Sequence, residues 1–154
     1  MASSSLAWPT TFLKIPVKNY ELIEHTADIG IQVRGKTLKE LFKNSAAAMF
    51  EIIAQQSGAK AKKQASITIK QKADNTEDLL LIWLNELLSL SAVKEVIFDK
   101  IRITKLDKDT IEATVSGTSI KNYQPKTEIK AATYHELKVK KIKSGWQARV
   151  IFDV

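Results

Sequence analysis

The sequence predicts an α+β domain, two helices packed on a largely antiparallel β-sheet, and three observations carry that prediction. Two segments, one opening at Thr37 and one near Asp74, show helix-start signals followed by apolar residues at helical spacing. Around them lie many short alternating or apolar runs of strand length, mostly separated by turn-forming residues, so that hairpins are the expected connections. The third observation is size: 154 residues at 44% hydrophobic content suit one domain with a proper core.

The elements follow in order. Met1 to Asn19 is poor in charge and rich in Ser, Thr and Pro, without the basic start and continuous apolar middle of a secretory signal. It is expected to be a partly ordered N-terminal extension, residues 1–19, ahead of a domain at 20–154. Tyr20 to Glu24 and Ile29 to Arg34 alternate as two short strands around His25–Asp28, with Gly35 as a stop. Thr37-Leu38-Lys39-Glu40 reads as a capping box, and Leu38, Leu41, Phe42, Ser45, Met49, Ile52 and Ile53 form one buried helical stripe that Gly58 is expected to end. Ala65 to Gln71 alternates as a strand with one wet face. Asp74-Asn75-Thr76-Glu77 offers caps and early acid for a second helix, whose body from Leu79 to Leu90 is apolar round most of its circumference and should be the most buried. Strand-like runs follow at Glu95 to Phe98, Ile101 to Leu106, Thr110 to Ser116, Ile129 to Val139 and Trp146 to Val154. Turns are expected at Asp107-Lys108-Asp109 and Ser144-Gly145.

Composition excludes several chemistries. The chain has no cysteine, which removes disulfides, thiolate metal sites and cysteine nucleophiles and is compatible with a reducing cytoplasm. Its longest apolar run, Leu79 to Leu84, is far short of the roughly twenty residues needed to span a bilayer, so a soluble protein with no membrane partner is expected. No phosphate-cradling glycine loop, dinucleotide fingerprint or nucleophile elbow is present, and five glycines leave little material for one.

Two carboxylates stand out. Asp28 closes His25-Thr26-Ala27-Asp28, and Asp153 lies in Val150-Ile151-Phe152-Asp153-Val154, both within apolar strand-like sequence where an unpaired charge is costly. With a main-chain oxygen at Val154 they would make a hard-cation site if the last strand lay beside the first. The commoner reading of such residues makes Asp28 a turn or cap residue, its side chain bonded to a nearby amide, and Asp153 an exposed residue of the tail. Spacing alone leaves both readings open.

Tyr20-Glu21-Leu22-Ile23-Glu24-His25-Thr26-Ala27-Asp28-Ile29-Gly30 resembles the opening motif of the archease family. Trp83-Leu84-Asn85-Glu86-Leu87-Leu88, Lys130-Ala131-Ala132-Thr133-Tyr134-His135 and Trp146-Gln147-Ala148-Arg149-Val150-Ile151-Phe152-Asp153-Val154 resemble its other hallmarks, in the same order and out to the last residue. The resemblance implies a small α+β protein that is not itself an enzyme. It would assist an RtcB-type RNA ligase by promoting guanylylation of the ligase and its repeated turnover, in tRNA splicing or RNA repair. It further implies a divalent metal, calcium, held by Asp28, Asp153 and Val154, and a lysine needed for activity at Lys130. The alternative role suggested for the family is a chaperone-like modulator of an RNA-modifying enzyme such as a tRNA methyltransferase. Two features depart from the family pattern: residues 1–19 have no counterpart, and the loop Asn122 to Glu128 is shorter and less acidic and histidine-rich.

The remaining candidates have structural readings beside functional ones. His25 and His135 would stand in a second shell around the metal, or be satisfied structural histidines. Trp83 should be core, and Trp146 should pack over the final hairpin. The net charge of +7 gathers partly at Lys60, Lys62 and Lys63 and at Lys138, Lys140, Lys141 and Lys143. With only three arginines in the chain, a protein partner is expected, and RNA contact only indirect or weak.

Overall fold

A computed structural model describes residues 12–14, 19–24, 28–58 and 66–154. The strands are β1 (Phe12–Lys14), β2 (Tyr20–Glu24), β3 (Asp28–Gly35), β4 (Ala54–Gln56), β5 (Ile67–Lys72), β6 (Val96–Leu106), β7 (Thr110–Ser119), β8 (Tyr123–Pro125), β9 (Ala131–Ile142) and β10 (Gly145–Asp153). The helices are α1 (Leu38–Ile53) and α2 (Thr76–Lys94). Every described pairing is antiparallel. The α+β class follows from these elements.

The larger sheet has the order β1-β2-β3-β10-β9, a smaller one the order β5-β7-β6, and β4 pairs with β8 as a two-stranded ribbon. Thus the final strand lies inside the larger sheet, between β3 and β9. The helices pack against both sheets: α1 meets β3, β10 and β6, while α2 meets β9, β5 and β6. This position explains why α2 is apolar on nearly all sides, since a helix covered from two directions has no wet face to mark with charge. Leu79, Leu80, Trp83, Leu84 and Leu87 are fully buried, and Trp83 Nε1 donates to the Phe42 carbonyl of α1 at 3.1 Å.

Local details depart from the sequence expectations for identifiable reasons. Thr37 caps α1, accepting from Glu40 N at 3.1 Å, but Glu40 Oε1 accepts from Lys36 N rather than from the amide of Thr37. Helix α1 ends at Ile53 and not at Gly58. Ala54 is already extended, and residues 54–56 join β8, leaving Gly58, with φ +89°, to turn the chain after the ribbon. Asn75 caps α2 by accepting from Asp78 N at 2.8 Å, and Glu95, expected to begin a strand, instead closes the helix in the left-handed conformation. The two runs expected at 95–98 and 101–106 form one strand, β6, whose register shifts between Phe98 and Lys100 and again between Ile103 and Lys105. Gly117 faces the first of these bulges, where a Cβ would lie 2.0 Å from the Ile97 carbonyl oxygen. The turn at Asp107 is as expected: its carboxylate accepts from Asp109 N and Thr110 N. Strand β1 shows that part of the N-terminal extension pairs with β2.

Candidate functional site

The end of the larger sheet gathers the residues that the sequence singled out. In the β3–β10 pairing Asp28 is the register partner of Asp153, and in the β10–β9 pairing Asp153 is opposite Ala131. Directly opposed residues project to the same face with Cβ atoms about 5 Å apart. Lys130 enters the same end, its N–H donating to the Asp153 carbonyl at 2.8 Å. Val154 is half-buried with its side chain against the core, so its main chain continues directly beyond Asp153. Asp28, Asp153, Lys130 and Val154 therefore meet, although 125 positions separate the first from the second. His25, Thr26 and Ala27 lie outside the described residues.

The strand alternation explains this placement. Ile29, Ile31 and Val33 of β3 and Ala148, Val150 and Phe152 of β10 join the core, which turns Asp28 and Asp153 to the opposite face. Two like charges directly across a strand pair are destabilising. Among the described residues neither carboxylate takes a hydrogen bond or ion pair that would offset the repulsion.

The donor set fits a hard cation in part. Calcium takes about six to eight oxygen ligands. Two opposed carboxylates and a main-chain oxygen of Val154 are all hard oxygen donors, with no sulfur or imidazole between them. Among the described residues no group of three or more His, Cys, Asp or Glu side chains is placed to hold a metal. The described side chains thus offer a cation at this pair two carboxylates, fewer than the oxygen ligands calcium takes.

Neighbouring contacts hold the Lys130 segment in place. Asn85 of α2 donates through Nδ2 to the Ala132 carbonyl at 3.1 Å and accepts from Ala132 N at 2.8 Å. Its amide thus mimics a neighbouring strand on the outer edge of β9. Glu77 repeats the device further along, its Oε2 accepting from Val139 N at 3.3 Å. In the sequence Asn85 stands only as one residue of the run Trp83 to Leu88, with no role of its own. The signal that marked it was a lone amide inside an otherwise buried surface, which needs hydrogen-bond partners.

Strand β9 is not the regular strand its sequence suggests. Thr133 is opposite Ile151 and Lys138 is opposite Arg149, so residues 134–137 bulge out against Val150 alone. Thr133 Oγ1 donates to the Ile151 carbonyl at 2.9 Å and accepts from His135 N at 3.3 Å. Glu136 adopts φ +52°, and its Oε1 lies 3.4 Å from Arg149 Nη1. Burial lowers the pKa of Arg149 from its ordinary value, while the Glu136 charge and hydrogen bond act in the opposite sense. His135 is exposed on the bulge with Nε2 3.2 Å from Glu136 Oε2, and Tyr134 beside it is 65% exposed. The structure thus brings Lys130 to the aspartates and places His135 on the bulge, opposite Val150.

A groove of about 600 Å³ opens on the core side of the same sheet, lined by Tyr20, Leu22, Ile29, Phe50, Phe98 and Tyr123 among others. Glu51 stands in it close to Tyr20. Burial first, then the Glu51 charge and a hydrogen bond to Glu51, push the Tyr20 phenol well above its ordinary value. Trp146 packs partly buried against the core with Lys141 Nζ 6.0 Å from its ring centre, as expected of a hairpin tryptophan. Lys60, Lys62 and Lys63 lie outside the described residues. No helix among the described residues is long and apolar enough to cross a membrane.

Comparison with known proteins extends this picture. The sequence model of the archease protein family (MTH1598/TM1083) matches residues 20–154. The chain is 36% identical over 146 residues to Protein archease of Methanosarcina barkeri, covering 89% of this chain and 97% of that one. It is 34% identical over 144 residues to Protein archease of Pyrococcus furiosus, covering 90% of this chain and all of the other. Among solved structures, protein 1598 of Methanobacterium thermoautotrophicum superposes with a TM-score of 0.70 at 29% identity, covering 90% of this chain and 100% of that chain. A Thermotoga maritima protein described as an archease, possible chaperone, superposes with a TM-score of 0.62 at 26% identity, covering 86% and 94%.

Proposed function

The chain belongs to the archease family, and from that premise we propose that it is a cytoplasmic accessory protein that activates an RtcB-type RNA ligase. It would promote guanylylation of the ligase and repeated turnover in tRNA splicing or RNA repair, without joining RNA itself. The observation that supports this reading most is the register pairing of Asp28 with Asp153 at the sheet end where Lys130 enters.

In this reading Asp28, Asp153 and a main-chain oxygen of Val154 hold a divalent ion, calcium. When bound, such an ion supplies positive charge to phosphate oxygens and relieves the repulsion between the two carboxylates. The chain's residues do the positioning. The strands β3 and β10 fix the separation of the aspartates through a ladder of hydrogen bonds, and the Asp153 carbonyl fixes the backbone of Lys130. The Lys130 side chain is exposed and presents a compact point charge suited to the phosphates of a nucleotide on the ligase. At this end of the larger sheet RNA itself would be met only through the ligase or weakly.

The test is a guanylylation assay of the ligase with Asp28→Ala and Asp153→Ala, each first shown to be folded by circular dichroism. Both variants are expected to lose most of the stimulation of label transfer. Full stimulation by both would remove the metal site from the mechanism. Lys130→Ala is expected to retain binding to the ligase while losing stimulation.

A second reading, a chaperone-like modulator of an RNA-modifying enzyme such as a tRNA methyltransferase, draws on the description of the Thermotoga relative and on the apolar groove beside Tyr20. It predicts protection of that enzyme from aggregation with no effect on guanylylation.

A further inference from the structure

The smaller sheet has one face on the helices and one in solvent, and its solvent face is cationic in an ordered way. Along β7, Ile111, Ala113 and Val115 are buried, which turns Thr110, Glu112, Thr114 and Ser116 outward. Register then places Lys72 beside Thr110, Lys70 and Lys105 on either side of Glu112, Thr68 and Arg102 on either side of Thr114, and Lys100 beside Ser116. Five cations, all exposed, thus flank a central row of hydroxyls that holds one carboxylate. Among the described residues none of the five is within ion-pairing distance of a carboxylate.

We propose that this outer face of the β5-β7-β6 sheet is a binding surface for the phosphodiester backbone of RNA. Successive outward residues repeat about every 6.7 Å along a strand, a spacing comparable to that of phosphates along an extended polynucleotide. The lysines and Arg102 supply charge, and Thr68, Thr114 and Ser116 supply neutral donors to phosphate oxygens. An acidic protein partner fits less well. Protein interfaces are depleted in lysine and centre on apolar or aromatic anchors, whereas the exposed large hydrophobic residues among those described, Val93 and Tyr134, both lie elsewhere. One arginine and no aromatic side chain on the face leave nothing to read or stack bases, so binding is independent of sequence. The inference does not rest on the ligase reading. A protein that activates a ligase without touching RNA, and one that binds RNA without activating a ligase, give different results below.

The experiment is fluorescence anisotropy of a labelled single-stranded RNA twenty nucleotides long with the full chain, at several salt concentrations. Binding is expected to weaken with a log–log salt slope near −3, the value for about four phosphates neutralised on a single strand. Two unrelated RNA sequences and a DNA strand of equal length are expected to bind within about threefold of one another, as a backbone contact requires. The variant K70E/R102E is expected to bind at least tenfold more weakly, K70Q/R102Q to lie between it and the parent, and the charge-matched K36E/K39E, around the start of α1, to stay within about twofold. Three results would overturn the proposal: no salt slope, equal losses in K70E/R102E and K36E/K39E, or displacement of the RNA by poly-glutamate at equal charge concentration. Ligase stimulation measured on K70E/R102E, with Asp28 and Asp153 intact, keeps the two readings apart.

Discussion

At the scale of single residues, the aspartates and Tyr20 show how environment converts an ordinary side chain into a marked one. Asp28 and Asp153 were legible in the sequence because a carboxylate in apolar strand sequence needs a partner. Their mutual opposition was not legible, since it depends on a register between strands far apart in the chain. Tyr20 gave no such warning. Alternation identified it only as the first residue of a short strand, and its shift comes from burial and from Glu51 on α1. Its raised pKa has a definite sign for stability. The folded state keeps the phenolic proton to higher pH than the unfolded chain, so the contribution is complete below the ordinary tyrosine value near pH 10 and is lost as pH rises above it. Unfolding by urea between pH 8 and 11 should show stability falling above about pH 10 in the parent. Tyr20→Phe should flatten that fall, and an unchanged slope would show that Tyr20 does not govern it.

At the scale of elements, periodicity was a good guide where an element has one wet face and a poor one where tertiary contacts bend it. Helix α1 and strands β3, β7 and β10 lie close to where their apolar patterns placed them. The ribbon of β4 with β8 was missed because three-residue strands carry no period, and the bulge in β9 was missed because 129–139 alternates well enough to pass for one strand. Bulges often re-aim side chains beside functional sites, and this one exposes Tyr134 and His135 three to four residues after Ala131. The bracing of β9 by α2 can be tested through Asn85. Removing its amide in Asn85→Ala leaves the Ala132 N–H and carbonyl without partners in a half-buried setting, with an expected cost of about 1–3 kcal/mol in chemical denaturation. Asn85→Asp keeps an acceptor for Ala132 N and loses the donor, so it should still be destabilised. A neutral result for Asn85→Ala would mean that the edge of β9 is held by its pairing with β10 and by Glu77 without help from Asn85.

At the scale of the whole molecule, two sheets enclose a pair of helices, and the last strand is inserted beside the third. That topology makes the candidate site a product of the complete fold: Asp28 and Asp153 come together only when β10 has paired with β3. The same arrangement leaves the outer face of the smaller sheet free to carry its five cations, a pattern hidden in the sequence because the residues come from β5 and β6, about thirty positions apart. Family resemblance named Asp28 together with Asp153, which periodicity could not, and β3 and β10 pair them in register.

The central claim is that the opposed pair Asp28 and Asp153 binds a divalent cation, and thermal unfolding with and without calcium tests it most directly. At calcium about a hundredfold above its dissociation constant the folded parent should gain about 2.7 kcal/mol, a rise in Tm of roughly 5–10 °C for a chain of this size. Asp28→Asn and Asp153→Asn should lose most of that rise, and in chelator each should be at least as stable as the parent because the like-charge repulsion is gone. A parent Tm indifferent to calcium, or an equal rise in both variants, would contradict the account.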